Sequence, residues 1–189
     1  FAASANAAFM AGVKIKFVDV NPETLNIDLS DLRKKINKNT KAIMPVHVSG
    51  RACDMSSIMK IAKKKKLYVI EDAAEAFLSK YKKKFLGTVG DMGCFSLSPN
   101  KIFTSGQGGL LVTNNKQYYK KLSVFKTQGR VGSTTGGNDL HISAGGNFKL
   151  SNISAGLAIT QLKKVNSRKK ILIKNHLNYK NGLKKLQKL

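Results

Sequence analysis

The chain is 189 residues long, 42% apolar and 23% charged, which is enough to bury one sizeable core and too apolar for a disordered tail. No apolar run approaches the roughly 18 to 20 residues of a membrane span, and the opening FAASANAAFMAGVK lacks a positive flank ahead of its apolar part, so membrane and secreted classes lose most of their ground. The charge is lopsided, 34 basic against 10 acidic residues for a formal +24, but only Arg33, Arg51, Arg130 and Arg168 are arginine and the lysine runs 63–66 and 82–84 are not interleaved with aromatics; this reads as a solvated basic surface with weak, salt-sensitive attraction to polyanions and no specific nucleic-acid site.

Apolar runs of strand length alternate with segments of helical period, the pattern of an α/β layered domain with a largely parallel sheet. Residues 14–20 read as a strand, followed by a turn at Asn21-Pro22-Glu23 and a helix over 29–36 with Asp28 or Ser30 as its N-cap. Residues 42–48 read as a buried strand, Gly50 breaks the chain, and Asp54 is placed to cap a helix over 55–65. The next short strand, 67–70, ends abruptly in Glu71-Asp72. Residues 77–90 form a lysine-rich excursion, 94–98 a strand, 106–109 a tight turn, 110–113 a further strand, and 116–126 a helix. Residues 129–147, rich in Gly, Ser, Thr and Asn, are expected to form a long loop, after which Ser151 caps a long amphipathic helical stretch to the C-terminus. There is no internal repeat.

Open α/β sheets bind ligands beyond the carboxyl ends of their strands, and three segments converge there: EDAAEA at 71–76, CFSLSPNK at 94–101 and GGNFKLSN at 145–152. The acids Glu71, Asp72 and Glu75 stand out in so basic a chain, although acids at a helix N-terminus are the plainer reading. Lys101 lies between Pro99 and the Gly-rich segment 104–109, where a loop can hold a reactive lysine close to the backbone. An aspartate and a lysine delivered by neighbouring strand ends are the two groups pyridoxal 5'-phosphate (PLP) needs most. The lysine holds the cofactor as a Schiff base, and the aspartate keeps the pyridine nitrogen protonated so that the ring acts as an electron sink. Ser96, five residues before the lysine, is placed to donate to the cofactor phosphate. Cys53 and Cys94 are too few for a disulfide framework and show no metal-ligand spacing with His47, His141 or His176; they read as buried small residues of a protein in the reducing cytoplasm.

The segments PETLNID, PVHVSGRACDM, VIEDAAEA, GDMGCFSLSPNKIFTSGQGG and GGNFKLSNISAGLAITQL, in this order, resemble the nucleotide-sugar aminotransferases of the DegT/DnrJ/EryC1/StrS family, PLP enzymes of the aspartate aminotransferase fold. The resemblance runs essentially end to end. It implies a three-layer α/β/α large domain of PLP fold type I, incomplete at both ends. Residues 1–165 would be the PLP-binding large domain without its N-terminal Gly-Thr phosphate turn, and 166–189 a helical connection toward a small C-terminal domain. It makes Lys101 the Schiff-base lysine and general acid/base, Asp72 the partner of the pyridinium nitrogen and Ser96 a phosphate ligand. Asn147 would reach the cofactor phosphate of the neighbouring subunit, and Phe1 would stack on the pyridine ring. His47 matches the family's Pro-Val-His segment and reads as structural. The implied activity is ping-pong transfer of an amino group, from L-glutamate, to a nucleotide-linked keto-sugar, forming an amino sugar for polysaccharide or glycoside synthesis. The implied assembly is a cytoplasmic homodimer with shared active sites and no metal.

Three positions depart from the family's pattern. Glu75 stands where a glutamine or histidine usually donates to the cofactor's phenolate oxygen, and an ionised carboxylate there would repel it. Lys149 replaces an arginine, and Gly106-Gln107-Gly108-Gly109 replaces Gly-Glu-Gly-Gly. Two alternatives stand beside the transaminase reading. One is a PLP-dependent sugar dehydratase, a branch that carries histidine at the position of Lys101. The other is a catalytically inactive relative or fragment acting as a binding or scaffold protein, and the isolated chain is expected not to turn over.

Overall fold

The computed structural model describes residues 1–131 and 140–184. The chain forms two compact units, the first built from Phe1–Ser96 and Gly109–Lys149, the second from Leu97–Gly108 and the chain after Lys149.

The first unit opens with helix α1 (Ala3–Met10), which the strand and helix periods did not announce; its signal is composition, a run of alanines with no β-branched residue, Gly or Pro. Residues 14–20, expected as a strand, carry no ladder. Only the isolated antiparallel bridge Val20 to Ile27 forms, with Asp28 N–H donating to Asp19 O at 2.8 Å. Val18 packs on the core while Ile15, Phe17 and Val20 stay exposed, and beyond that bridge no neighbouring strand takes up the segment's backbone groups among the described residues. Helix α2 (Leu29–Lys35) starts at Asp28, whose carboxylate accepts from Asp31 N–H. Of the two expected caps, Asp28 is the one used.

Strand β1 (Ala42–Ile43) is shorter than the expected 42–48 because Pro45 has no N–H to give the ladder. Its direction continues nonetheless: Asp72 N–H donates to Pro45 O (2.9 Å) and His47 N–H donates to Asp72 O (3.0 Å). Helix α3 (Met55–Lys65) is capped by Asp54 through Ser57 N–H, buries Met55, Ile58 and Ala62 on one face, and ends at Lys66 in the left-handed region (φ 54°). Strand β2 (Tyr68–Asp72) runs two residues further than expected, so the acids lie in the strand and not after it. The excursion at 77–90 contains a two-stranded hairpin, β3 (Lys80–Tyr81) with β4 (Lys84–Phe85), tied to the start of α3 by Tyr81 OH donating to Asp54 and Lys82 Nζ donating to Ser56.

Strand β5 (Met92–Ser96) pairs parallel with β2, and β6 (Gly109–Val112) pairs antiparallel with β5, giving the order β1-β2-β5-β6. The sheet is thus mainly parallel, as expected. Gly93 in β5 is required by close approach: a Cβ there would lie 1.9 Å from Gly87 O. The core of this unit joins Leu32, Ile43, Met55, Ile58, Val69, Ala73 and Leu86. Helix α4 (Lys116–Phe125) starts at Asn115, which accepts from the N–H groups of Gln117 and Tyr118. Of the loop expected at 129–147, residues 132–139 lie outside the described residues. Its two ends are held together by Val131 N–H on Leu140 O, Ile142 N–H on Gly129 O and Gln128 N–H on Gly146 O.

In the second unit the loop Leu97–Gly108 is closed at its base, with Leu97 N–H on Gly108 O (2.9 Å) and Ser105 N–H on Leu97 O (3.1 Å). Ser151 caps α5 (Asn152–Lys163) as expected, but the single amphipathic stretch is interrupted at Lys164 and resumes as α6 (Val165–Gly182). The successive Ile171, Leu172 and Ile173 are each about half exposed, so the apolar residues of α6 do not form one stripe. No helix among the described residues is long and apolar enough to cross a membrane.

Candidate active site

Strand parity builds the site. Successive side chains of β2 point to opposite faces, so Val69 and Glu71 go into the core while Asp72 emerges on the other side at the strand's carboxyl end. Glu71 is fully buried and its two oxygens are filled: Oε2 accepts from His47 Nε2 (2.9 Å) and Gly87 N–H (2.8 Å), and Oε1 from Val89 and Gly90 N–H (2.6 Å each). His47 Nδ1 accepts from Cys53 N–H at 3.2 Å, which assigns the ring proton to Nε2, facing Glu71. Burial alone would raise the Glu71 carboxyl; the hydrogen bonds from His47, Gly90, Gly87 and Val89 outweigh it and hold the group below its ordinary value. Gly87, at φ +81°, makes the turn that brings these amides round, and a Cβ on it would lie 2.5 Å from the Phe95 ring. His47, read as structural, therefore belongs to the lock that fixes the end of β2.

Asp72 is half-buried. Its Oδ2 accepts from Ser4 Oγ at 2.5 Å and its Oδ1 from Ala74 N–H at 3.1 Å. In the β2–β5 register it stands opposite Cys94, two residues before Ser96, so the sheet brings Asp72 and Ser96 to the same end. Burial and then the Asp72 charge raise the Cys94 thiol, and burial pushes the Cys53 thiol up to about 11, so neither is an activated nucleophile. Glu75 is exposed, and its Oε2 accepts from Ser49 N–H (2.8 Å) in the turn before α3. Asn147 is exposed and bridges to Thr127, and Phe1 is fully exposed ahead of α1. No contact brings either of them to Asp72.

Lys101 belongs to the second unit. It is half-buried on a turn closed by its N–H on Ser98 O (3.1 Å), and Arg168 of α6 holds the loop by donating to Ile102 O (3.0 Å). With Pro99, Thr104, Gln161, Arg168 and Leu172 it lines an open hollow of about 330 Å³. The sequence reading missed Ser4, the buried role of Glu71 and the anchoring by Arg168. Strand parity was the available signal for Glu71; nothing local announces Ser4 or Arg168, whose partners lie 68 and 66 positions away.

The donor set fits PLP on one direct observation. Asp72 is a half-buried carboxylate at a strand end, steadied at both oxygens, and among the described residues no cation is paired with it. A protonated ring nitrogen is the complement such a group lacks. No cluster of three or more potential metal ligands exists among the described residues.

Comparison with known proteins identifies the family and the fold. The profile of the DegT/DnrJ/EryC1/StrS aminotransferase family matches residues 1–189. GDP-perosamine synthase of Escherichia coli O157:H7 is 44% identical over 162 residues, covering 86% of this chain and 44% of that protein. A UDP-4-amino-4,6-dideoxy-N-acetyl-beta-L-altrosamine transaminase of Campylobacter jejuni is 38% identical over 168 residues, 87% of this chain and 44% of that one. The solved structure of Helicobacter pylori PseC, an aminotransferase involved in the biosynthesis of pseudoaminic acid, superposes with a TM-score of 0.83 at 32% identity, over 88% of this chain and 44% of its own. The chain thus spans somewhat under half the length of these relatives, and its α/β fold is that of the PLP-dependent aminotransferases. Matched along its whole length, it belongs to the DegT/DnrJ/EryC1/StrS aminotransferase family.

Proposed function

We propose that the protein carrying this chain moves an amino group from L-glutamate to a nucleotide-linked keto-sugar with PLP as cofactor, making an amino sugar for polysaccharide or glycoside synthesis in the cytoplasm. The observation that carries the reading is the Asp72 carboxylate, fixed by Ser4 and Ala74 at the carboxyl end of a central strand and paired with no cation among the described residues. The names of the relatives add the substrate class, since the perosamine synthase and the altrosamine transaminase are named for GDP- and UDP-linked sugars.

Bound PLP supplies an electrophilic carbonyl and an electron-withdrawing ring. Asp72 holds the ring nitrogen protonated. Lys101, on a loop pinned by Arg168, would give the amine that holds the cofactor and, as a free amine, would take the proton from the donor's Cα and return it to the cofactor's carbon. Ser96 binds the phosphate, Asn147 does so from the second subunit of a homodimer, and Phe1 covers the ring. Glu75 stands at the position of the usual donor to the phenolate oxygen, on the cofactor-binding side of the reading, and its Oε2 also accepts from Ser49 N–H. Lys101 in place of histidine speaks against the dehydratase alternative.

The test is transfer of isotope-labelled nitrogen. The purified protein that carries this chain, PLP and labelled L-glutamate are mixed with GDP- and UDP-linked keto-sugars. We expect the label in an amino-sugar nucleotide with one 2-oxoglutarate released per transfer. Formation of neither product with any of these sugars overturns the reading.

A further inference from the structure

We infer that Ser4 is a positioning residue for the Asp72 carboxylate, fixing which lone pair remains for the cofactor's ring nitrogen; this rests on the reading of Asp72 given above. The backbone of Asp72 has no freedom left. Its N–H is bound by Pro45 O, its C=O receives His47 N–H, and it stands in register with Cys94 of β5. The next residue is fixed too, with Ala73 N–H on Cys94 O at 2.9 Å. Only the two side-chain torsions remain, and the direction of the carboxylate depends on them.

Two donors settle those torsions. Ala74 N–H on Oδ1 is local, two residues on in the same turn, and no side-chain change removes it. Ser4 Oγ on Oδ2 comes from a different element, in the first turn of α1, 68 positions earlier. The two hold the carboxylate from separate directions, so that removing Ser4 leaves a hinge about Ala74. The helix that carries Ser4 has no buried residue, so its packing adds little to stability and the main consequence of this hydrogen bond is the direction of the carboxylate. A group that must meet a ring nitrogen along one line is the case in which a degree of torsional freedom costs binding and rate together.

The experiment compares the purified protein with Ser4→Ala, Ser4→Thr and Asp72→Asn, reading PLP affinity by absorbance titration and the melting temperature without PLP. Alanine is the better helix former, so Ser4→Ala is expected to fold. We expect Ser4→Ala to bind PLP about tenfold more weakly, the scale of one hydrogen bond to a charged group, with the PLP-free melting temperature unchanged. Ser4→Thr, which keeps the hydroxyl, restores the affinity. If Asp72→Asn weakens PLP binding while Ser4→Ala leaves it unchanged, the role of Ser4 is refuted and that of Asp72 stands. If neither change affects binding, the assignment of Asp72 itself falls. A loss in Ser4→Ala that Ser4→Thr does not repair, or that comes with a lower melting temperature, refutes positioning in favour of packing of α1.

Discussion

On the proposed function, changing Asp72 to asparagine is expected to slow amino transfer from glutamate by about a hundredfold to a thousandfold, the range for deleting one preorganised electrostatic partner of a developing charge. The substitution is nearly isosteric. An asparagine side-chain oxygen still accepts from Ala74 N–H, and the Ser4 hydroxyl can turn to accept from the amide nitrogen. What disappears is the negative charge that favours a protonated ring nitrogen, and with it the ring's capacity to withdraw electrons. The half-reaction is followed by the cofactor's absorbance in single turnover. A rate within about threefold of the wild type would show that Asp72 does not pair with the ring.

Replacing Glu71 with alanine has the largest expected effect on stability. The change strands His47 Nε2–H and three backbone N–H groups, all grouped around one buried carboxylate. Breaking a buried charged network by removing one partner costs about 3 to 5 kcal/mol, a large share of the total stability of a domain. Denaturant unfolding measures it, and a loss under about 1 kcal/mol would mean that water fills the site without penalty. The same network sets a pH dependence. The folded-state value of Glu71 lies below its ordinary one, so its contribution is fully present above the unfolded carboxylate's titration and is lost as the pH falls through the folded-state value. Stability of the native protein therefore declines on acidification below about pH 4 to 5. In a Glu71→Gln variant that part of the acid sensitivity disappears.

Much of this was legible in the residues. The caps Asp28, Asp54 and Ser151 were found because a short polar side chain before a helix has one job, and the structure puts each on the expected amides. The succession of the strands β1, β2, β5 and β6 along the chain followed from apolar runs, and the acids at the carboxyl end of β2 were visible as such. The failures have physical causes. Residues 14–20 carry the apolar residues of a strand, but most of them stay exposed and pairing is a property of two segments and not of one. The strand 42–48 was read through Pro45, which cannot donate. Placing Glu71 and Asp72 after the strand, not within it, hid the parity that buries one and presents the other. The link from Ser4 to Asp72 spans 68 positions, and no local pattern reports such a contact.

The proposed function requires a covalent bond between PLP and Lys101, which borohydride reduction traps. The purified protein is incubated with PLP, reduced, digested and mapped by mass spectrometry, with Lys101→Ala alongside. The account predicts a single stoichiometric phosphopyridoxyl adduct on Lys101, absent from the variant and diminished when glutamate is added before reduction. A folded protein that shows no adduct, or shows it spread over the surface lysines and unchanged by Lys101→Ala, would contradict it.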